Sequence, residues 1–90
     1  MQVHVTSVIQ KAVGDQRQLQ ADGRTVGELL ADIEERYPGF RAQVMDERGQ
    51  LHRFVNIYLN DEDIRYLQGA ETALRDGDRV SILPALAGGA

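Results

Sequence analysis

"TVGELLADIEERYPG", residues 25–39, carries the clearest secondary-structure signal in the chain. Thr25 is a good N-cap residue, and Glu28 three positions later completes a capping box. The apolar side chains that follow recur at helical spacing along one face: Val26, Leu29, Leu30, Ile33 and Tyr37. Because Pro38-Gly39 stops a helix, the stretch predicts an amphipathic helix over residues 26–37, which must bury one face against another layer.

Strand signals lie on both sides of this helix. The predicted strands, in chain order, are residues 1–9, 17–22, 53–60, 64–67 and 79–84. Brief helical turns are expected at 40–45 and 70–74. One main helix packed on a mixed sheet of four to five strands is the economical arrangement, so the sequence predicts an α+β fold. Residues 1–84 form the predicted domain, and residues 85–90 form a flexible C-terminal tail.

Alternation along two strands predicts which sheet face is covered. In the third strand Val55, Ile57 and Leu59 form an aliphatic set that should face the core, whereas Phe54 and Tyr58 have the opposite parity. A clustered set of exposed apolar side chains indicates an interface. We therefore predict a partner-binding surface on the uncovered sheet face, formed by Phe54, Tyr58, Leu83 and, nearby on the tail, Leu86. The alternative, that the chain itself covers two of the first three, stays open.

Composition excludes several classes of function. The chain has 90 residues, a net charge of −4 and no cysteine, which disfavours nucleic-acid binding and removes disulfides and thiolate chemistry. No segment approaches the roughly 18 apolar residues of a membrane span, and no signal peptide opens the chain, so a cytoplasmic protein without membrane contact is expected. His4 and His52, the only histidines, lack spaced partners, so no metal site is expected. Nothing resembles a catalytic centre.

The ending "ALAGGA", residues 85–90, has little structural use. Gly88 and Gly89 lack a Cβ atom, so this backbone can enter a narrow channel in another protein. A glycine carboxylate is also sterically open to activation and to attack by a nucleophile. The residues alone leave two interpretations open: a frayed end, which small residues at a terminus favour, and a reactive terminus at Gly89.

The order of elements and the ending "LRDGDRVSILPALAGG" (74–89) resemble the ubiquitin-like β-grasp sulfur carriers of the MoaD/ThiS superfamily, over essentially the whole chain. The stretch "LHRFVNIYLNDEDIRYLQG" (51–69) is especially similar to the members that serve actinobacterial cysteine synthesis. The resemblance implies a β-grasp fold, with the first and last strands parallel in the centre of the sheet. It also implies a protein co-substrate that binds no cofactor, not an enzyme.

The resemblance further implies a set of partners. An E1-like enzyme would use ATP to adenylate the Gly89 carboxylate, and sulfur from a donor would replace AMP to give a thiocarboxylate. That sulfur would attack an aminoacrylate held on pyridoxal phosphate in a cysteine synthase, and a zinc metalloprotease would free the cysteine. Other members of the superfamily supply sulfur to molybdopterin, thiamin or specialised metabolites.

Ala90 departs from the pattern of the family, whose members that are active as synthesised end in a free Gly-Gly. With Ala90 attached, Gly89 has an amide where the chemistry requires a carboxylate, so we expect removal of Ala90 by a metalloprotease. The alternative, that Ala90 is not part of the natural chain, stays open. Two other interpretations stay open. In the first, the chain is a protein modifier that is conjugated through Gly89 to target lysines. In the second, it is an interaction domain with an idle tail.

Overall fold

The computed structural model describes residues 1–52 and 55–84 and contains one mixed five-stranded sheet. The strands are β1 (Gln2–Val5), β2 (Gln18–Gln20), β3 (Val55–Leu59), β4 (Glu62–Asp63) and β5 (Arg79–Pro84). Their order is β2-β1-β5-β3-β4, with β1 parallel to β5 and the other pairs antiparallel. The predicted β-grasp arrangement, with the first and last strands parallel at the centre, is therefore confirmed.

Helical segments connect these strands. The α-helices are α1 (Val26–Arg36) and α2 (Phe40–Val44), and 3₁₀ segments span Ser7–Val13, Ile64–Tyr66 and Gly69–Glu71. The predictions of α1 and of the turn at 40–45 are confirmed to within one residue. The last residue of the expected domain 1–84 is also the last residue of β5. The expected flexible tail at 85–90 lies outside the described residues.

The core lies between the sheet and α1, as the two periodicities predict. The inward side chains of β1, β3 and β5 are completely buried with the apolar stripe of the helix, except for Leu59, which is half-buried and packs against this core. The buried set comprises Val3, Val5, Val55, Ile57, Val80, Ile82, Val26, Leu29, Leu30 and Ile33. Tyr58, Ser81 and Leu83 have the opposite parity and are half-buried. The face of the sheet that bears them is called the outer face below.

Three predicted strands are wrong in extent or in type, and β4 lies outside every predicted strand. The strand expected over 17–22 is confined to Gln18–Gln20. The strand expected over 1–9 ends at Val5, and the chain continues as the 3₁₀ segment Ser7–Val13. Lys11 is exposed between the buried Ile9 and Val13, so burial in this segment does not recur with the period of two of a strand. The strand expected over 64–67 is a 3₁₀ segment. Ile64 is 1% exposed and Tyr66 84% exposed, so positions i and i+2 face opposite ways and no strand alternation exists.

The start of α1 depends on a close approach of the backbone at Gly23. The Thr25 hydroxyl oxygen accepts from the Glu28 amide at 3.2 Å, and Glu28 Oε1 accepts from the Arg24 amide at 3.1 Å. This bond reaches one residue further back than a standard capping box. A Cβ atom on Gly23 would lie 2.4 Å from the Leu29 nitrogen, which cannot move because it belongs to the helix backbone.

The entry into β5 is held by an Asn60–Asp78 pair. Asn60 Nδ2 donates to Asp78 Oδ1 at 2.9 Å, and Asn60 Oδ1 accepts from the Arg79 amide at 2.9 Å. Asp78 Oδ2 also accepts from the Arg75 amide at 2.8 Å. These bonds, that from Asn60 first, lower the pKa of Asp78 below its ordinary value because they favour the carboxylate. They fix the start of β5 against the end of β3.

We expect Gly23→Ala to lower the free energy of unfolding by roughly 2–3 kcal/mol, because the added methyl group overpacks the helix start. Gly27→Ala is the matched control. Its Cβ would lie 3.2 Å from the Ala70 carbonyl oxygen, and the gain in helix propensity of about 1 kcal/mol offsets that crowding. Urea denaturation measures both. Equal effects of the two changes would contradict the close approach at Gly23.

Asp78→Asn should make stability less dependent on acid pH. Because the folded-state pKa of Asp78 is lowered, its stabilisation is complete above the ordinary value of 3.8 and is lost as the pH falls through the folded value. The variant should melt lower at pH 7, and its melting temperature should fall less between about pH 5 and pH 2. Asp76→Asn, where no side-chain hydrogen bond is present among the described residues, is the control. Parallel pH profiles for D78N and wild type would rule out this role.

Candidate functional site

The outer face carries a row of side chains that crosses all five strands. Paired Cα positions run from β2 to β4 through Gln18, His4, Ser81, Tyr58 and Asp63. The central part of this row is half-buried. The row is polar except for the tyrosine ring, so the outer face is not a broad apolar surface.

Tyr58 and Leu83 come together on the outer face, as the sequence predicts. Tyr58 pairs with Ser81 and Asn56 pairs with Leu83, which makes the tyrosine and the leucine diagonal neighbours on adjacent strands. With Asp61 and Ser81 they line a shallow depression of about 190 Å³. Both are half-buried, so the chain covers them in part and leaves the rest accessible. The predicted Phe54 lies outside the described residues.

The C-terminal residues leave from one end of the sheet. β5 ends at Pro84, whose Cα pairs with that of Val55 at the start of β3. The predicted residues that follow, Leu86, Gly88, Gly89 and Ala90, lie outside the described residues. The structure therefore fixes the point of departure of the tail, beside the start of β3 and next to Leu83.

A hydrogen-bond network occupies this end of the sheet. Arg65 Nη2 donates to the Val55 carbonyl oxygen at 2.8 Å, and Arg65 Nη1 donates to Asn56 Oδ1. Asn56 Nδ2 donates in turn to the Tyr58 hydroxyl at 3.4 Å, and Asp63 Oδ2 lies 3.7 Å from Arg65 Nη1. The network links the predicted docking residue Tyr58 to the departure point of the tail.

Sequence reasoning assigned no role to Asn56 or Arg65, although both belong to the stretch 51–69 that carries the family resemblance. One signal was available for Asn56, which is a polar residue between aliphatic neighbours and shares its parity with Tyr58. Arg65 gave no signal, because its acceptors are nine and ten residues away in sequence.

The two histidines lie in different parts of the fold, His4 in β1 and His52 in the loop before β3. His4 is on the outer face, and its Nε2 is buried with no hydrogen-bond partner among the described residues. His52 Nε2 lies 2.9 Å from the Ala42 carbonyl oxygen. In residues 1–52 and 55–84, no three histidine, aspartate or glutamate side chains form a group that could hold a metal ion. No helix in these same two segments is long and apolar enough to cross a membrane.

Residues 3–89 match the ThiS family. The sulfur carrier protein CysO of Mycobacterium tuberculosis is 46% identical over 89 residues, covering 97% of this chain and 96% of that protein. A chain in the crystal structure of the Amycolatopsis orientalis BexX/CysO complex superimposes with a TM-score of 0.88 at 41% identity, covering 98% of both chains. Small archaeal modifier protein 3 of Haloferax volcanii is 38% identical over 68 residues, 76% of this chain and 73% of that protein. With its central parallel strand pair and its family match along nearly the whole length, the chain belongs to the ThiS family.

Proposed function

We propose that this chain is a sulfur carrier, a protein substrate that is not itself an enzyme and whose Gly89 is the reactive terminus. The observation that carries the proposal is the 46% identity, over 97% of the chain, to a protein named sulfur carrier protein CysO. Two further features support it. Gly88 and Gly89 follow a central strand by a few residues, and glycine backbone enters channels that other residues cannot.

The first step is activation of the terminus by an E1-like enzyme. A Gly89 carboxylate oxygen attacks the α-phosphorus of ATP, and pyrophosphate leaves with the electrons of the broken P–O bond. A donor of sulfur at the oxidation level of hydrosulfide then attacks the glycine carbonyl carbon, and AMP leaves. The product is a thiocarboxylate. The ATP and the sulfur donor belong to the activating enzyme, so the carrier needs no cofactor of its own.

The second step is delivery of the sulfur, for which we propose cysteine synthesis. The thiocarboxylate sulfur forms a bond to the β-carbon of an aminoacrylate in a pyridoxal phosphate-dependent cysteine synthase. The amino group then takes the acyl group from sulfur, and a metalloprotease hydrolyses the resulting amide to release cysteine and the Gly89 carboxylate. An enzyme of molybdopterin, thiamin or specialised metabolism is the alternative acceptor. We propose a cytoplasmic location for the carrier, since these enzymes would have to meet it there.

Activation requires a free carboxylate on Gly89, and Ala90 follows it in the sequence. We propose that a metalloprotease cleaves after Gly89 before activation. The amide bond to the next residue removes the negative oxygen that attacks ATP, so the uncleaved chain cannot be adenylated at this position.

A second candidate function is protein modification through Gly89. The relative of 38% identity named small archaeal modifier protein 3 supports it. The same acyl adenylate serves both functions, and the nucleophile that takes the acyl group distinguishes them. A lysine amine gives an isopeptide-linked adduct, whereas sulfur gives a thiocarboxylate.

Intact-mass measurement tests the carrier function directly. We expect a chain ending at Gly89, incubated with an E1-like enzyme, ATP and sulfide, to gain the mass of one sulfur-for-oxygen exchange. A chain ending at Ala90 should stay unmodified until a metalloprotease is added, and a chain lacking Gly88 and Gly89 is the negative control. Thiocarboxylate formation on Ala90 would contradict the cleavage step. Isopeptide adducts on lysine without any sulfur exchange would favour the modifier.

If the outer face docks on the activating enzyme, substitutions on this face should weaken binding to the enzyme without lowering the stability of the carrier. Tyr58→Ala or Leu83→Glu should raise KM for adenylation about tenfold, because truncating an interface anchor costs on the order of 1–2 kcal/mol. The melting temperature should change little, since both side chains are only half-buried. Gln18→Ala, on the same face at its far edge, should change neither value. A large loss of stability would identify Tyr58 and Leu83 as core residues instead.

A further inference from the structure

We propose that Arg65 is a positioning residue, whose guanidinium group clamps the end of the sheet from which the tail departs and so directs Gly89 into the activating enzyme. The inference rests on the proposed function and goes further, because it assigns a role to the Arg65–Asn56–Val55 juxtaposition. This juxtaposition adjoins the docking pair Tyr58 and Leu83, because Asn56 Nδ2 donates to the Tyr58 hydroxyl and Asn56 pairs with Leu83, but the role proposed for it is positioning and not docking.

At the start of β3, the contacts that Arg65 makes with Val55 and Asn56, called the clamp below, take the place of strand pairing that β4 does not provide. β3 pairs with β5 along all five of its residues, whereas β4 pairs only with Tyr58 and Leu59 at its far end. Among residues 1–52 and 55–84, no strand pairs with the start of β3 on the β4 side. Arg65 Nη2 supplies a donor there by bonding the Val55 carbonyl oxygen at 2.8 Å. A carbonyl left without a donor would weaken this end of the sheet.

The clamp acts on the residues that precede the tail. Val55 and Asn56, the two residues that Arg65 holds, pair with Pro84 and Leu83, the last two of β5. Their position therefore sets the direction in which the chain continues beyond Pro84.

Asp63 holds the clamp in place. Its Oδ1 accepts from the Arg65 amide at 2.8 Å, and its Oδ2 lies 3.7 Å from Arg65 Nη1. One carboxylate therefore contacts both the backbone and the guanidinium group of the same residue. The two donors aimed at β3 come from different nitrogens of one planar group, an arrangement that an arginine can make and a lysine cannot. The Arg65 side chain is 42% exposed, so a role of its charge in long-range attraction is the competing explanation.

Direction matters because the reach of the tail is short. The five residues from 85 to 89 span at most about 17 Å when extended. When the outer face is docked on the enzyme, the position of Pro84 decides where Gly89 can lie relative to the α-phosphorus of ATP. Misplacing reacting atoms by about 1 Å costs on the order of a hundredfold in rate. A loose end of the sheet should thus lower the rate of adenylation without weakening docking.

The test compares four variants, each produced as the full chain and then cleaved after Gly89. Adenylation by an E1-like enzyme with ATP is measured as the release of pyrophosphate. Arg65→Gln should lower kcat about tenfold and change KM by less than about twofold, which is the signature of lost positioning. Arg65→Lys should be as impaired as Arg65→Gln, because the charge is kept and the planar pair of donors is lost. Asn56→Ala should lower kcat by less. Arg17→Gln removes the same charge beside β2, at the opposite edge, and should leave both constants unchanged.

Several results would overturn the proposal. A raised KM with unchanged kcat in Arg65→Gln would make Arg65 a docking contact, and full rescue by Arg65→Lys would make its charge the important property. If Arg65→Gln does not fold, Asn56→Ala carries the test, and a wild-type kcat in that variant contradicts the clamp.

Amide hydrogen exchange of the carrier alone separates this proposal from the function on which it rests. Exchange at the amides of positions 56 and 83 should be about tenfold faster in Asn56→Ala and Arg65→Gln than in Arg17→Gln. The reason is that loss of the clamp's hydrogen bonds lowers the local free energy of opening by about 1.4 kcal/mol. Equal exchange rates would contradict the clamp even if adenylation occurs. Absence of adenylation in wild type, together with faster exchange in the variants, would contradict the carrier function and leave the clamp standing.

Discussion

The register of β5 between β1 and β3 is the constraint on which the rest of the structure depends. β5 pairs with β1 on one side and with β3 on the other, and its alternation sends Val80 and Ile82 into the core. A slip of one residue would turn these side chains outward and bring Ser81 and Leu83 against the helix. The same slip would move the end of the strand, and hence the residue at which the tail begins.

Polar contacts hold this register at both ends of the β3–β5 pair. At one end Asn60 and Asp78 join the turn after β3 to the first residue of β5. At the other end Arg65 bonds the start of β3, opposite the last residues of β5. The aliphatic core favours one parity, but sliding by two residues would keep that parity. Directional hydrogen bonds exclude such a slide, since they fit only one pairing.

Periodicity made much of this fold predictable. The stripe of α1 and the alternation of β3 and β5 depend on residues close together in sequence, so spacing alone reveals them. The segments that were mispredicted, Ser7–Val13 and Ile64–Tyr66, are 3₁₀ turns that follow short strands. Their boundaries are set by tertiary burial and by the Asp63 cap. Tyr58 and Leu83 could be placed on one face by parity, whereas the Arg65 contacts could not, because no local pattern specifies which distant acceptors an arginine reaches.

The division between body and tail explains why a small sheet can serve a group-transfer function without catalytic side chains. The chemistry proposed at Gly89 would require only an open carboxylate, and the proposed partner enzymes would supply nucleophile, nucleotide and acid–base groups. What the carrier must supply is recognition and direction. Recognition needs accessible side chains such as Tyr58 and Leu83, whereas direction needs a rigid end of the sheet. These demands conflict on one surface, because a residue that is tightly packed offers little to a partner. If Arg65 and Asn56 make the sheet edge rigid, the adjacent Tyr58 and Leu83 stay available for docking. One face can then meet both demands.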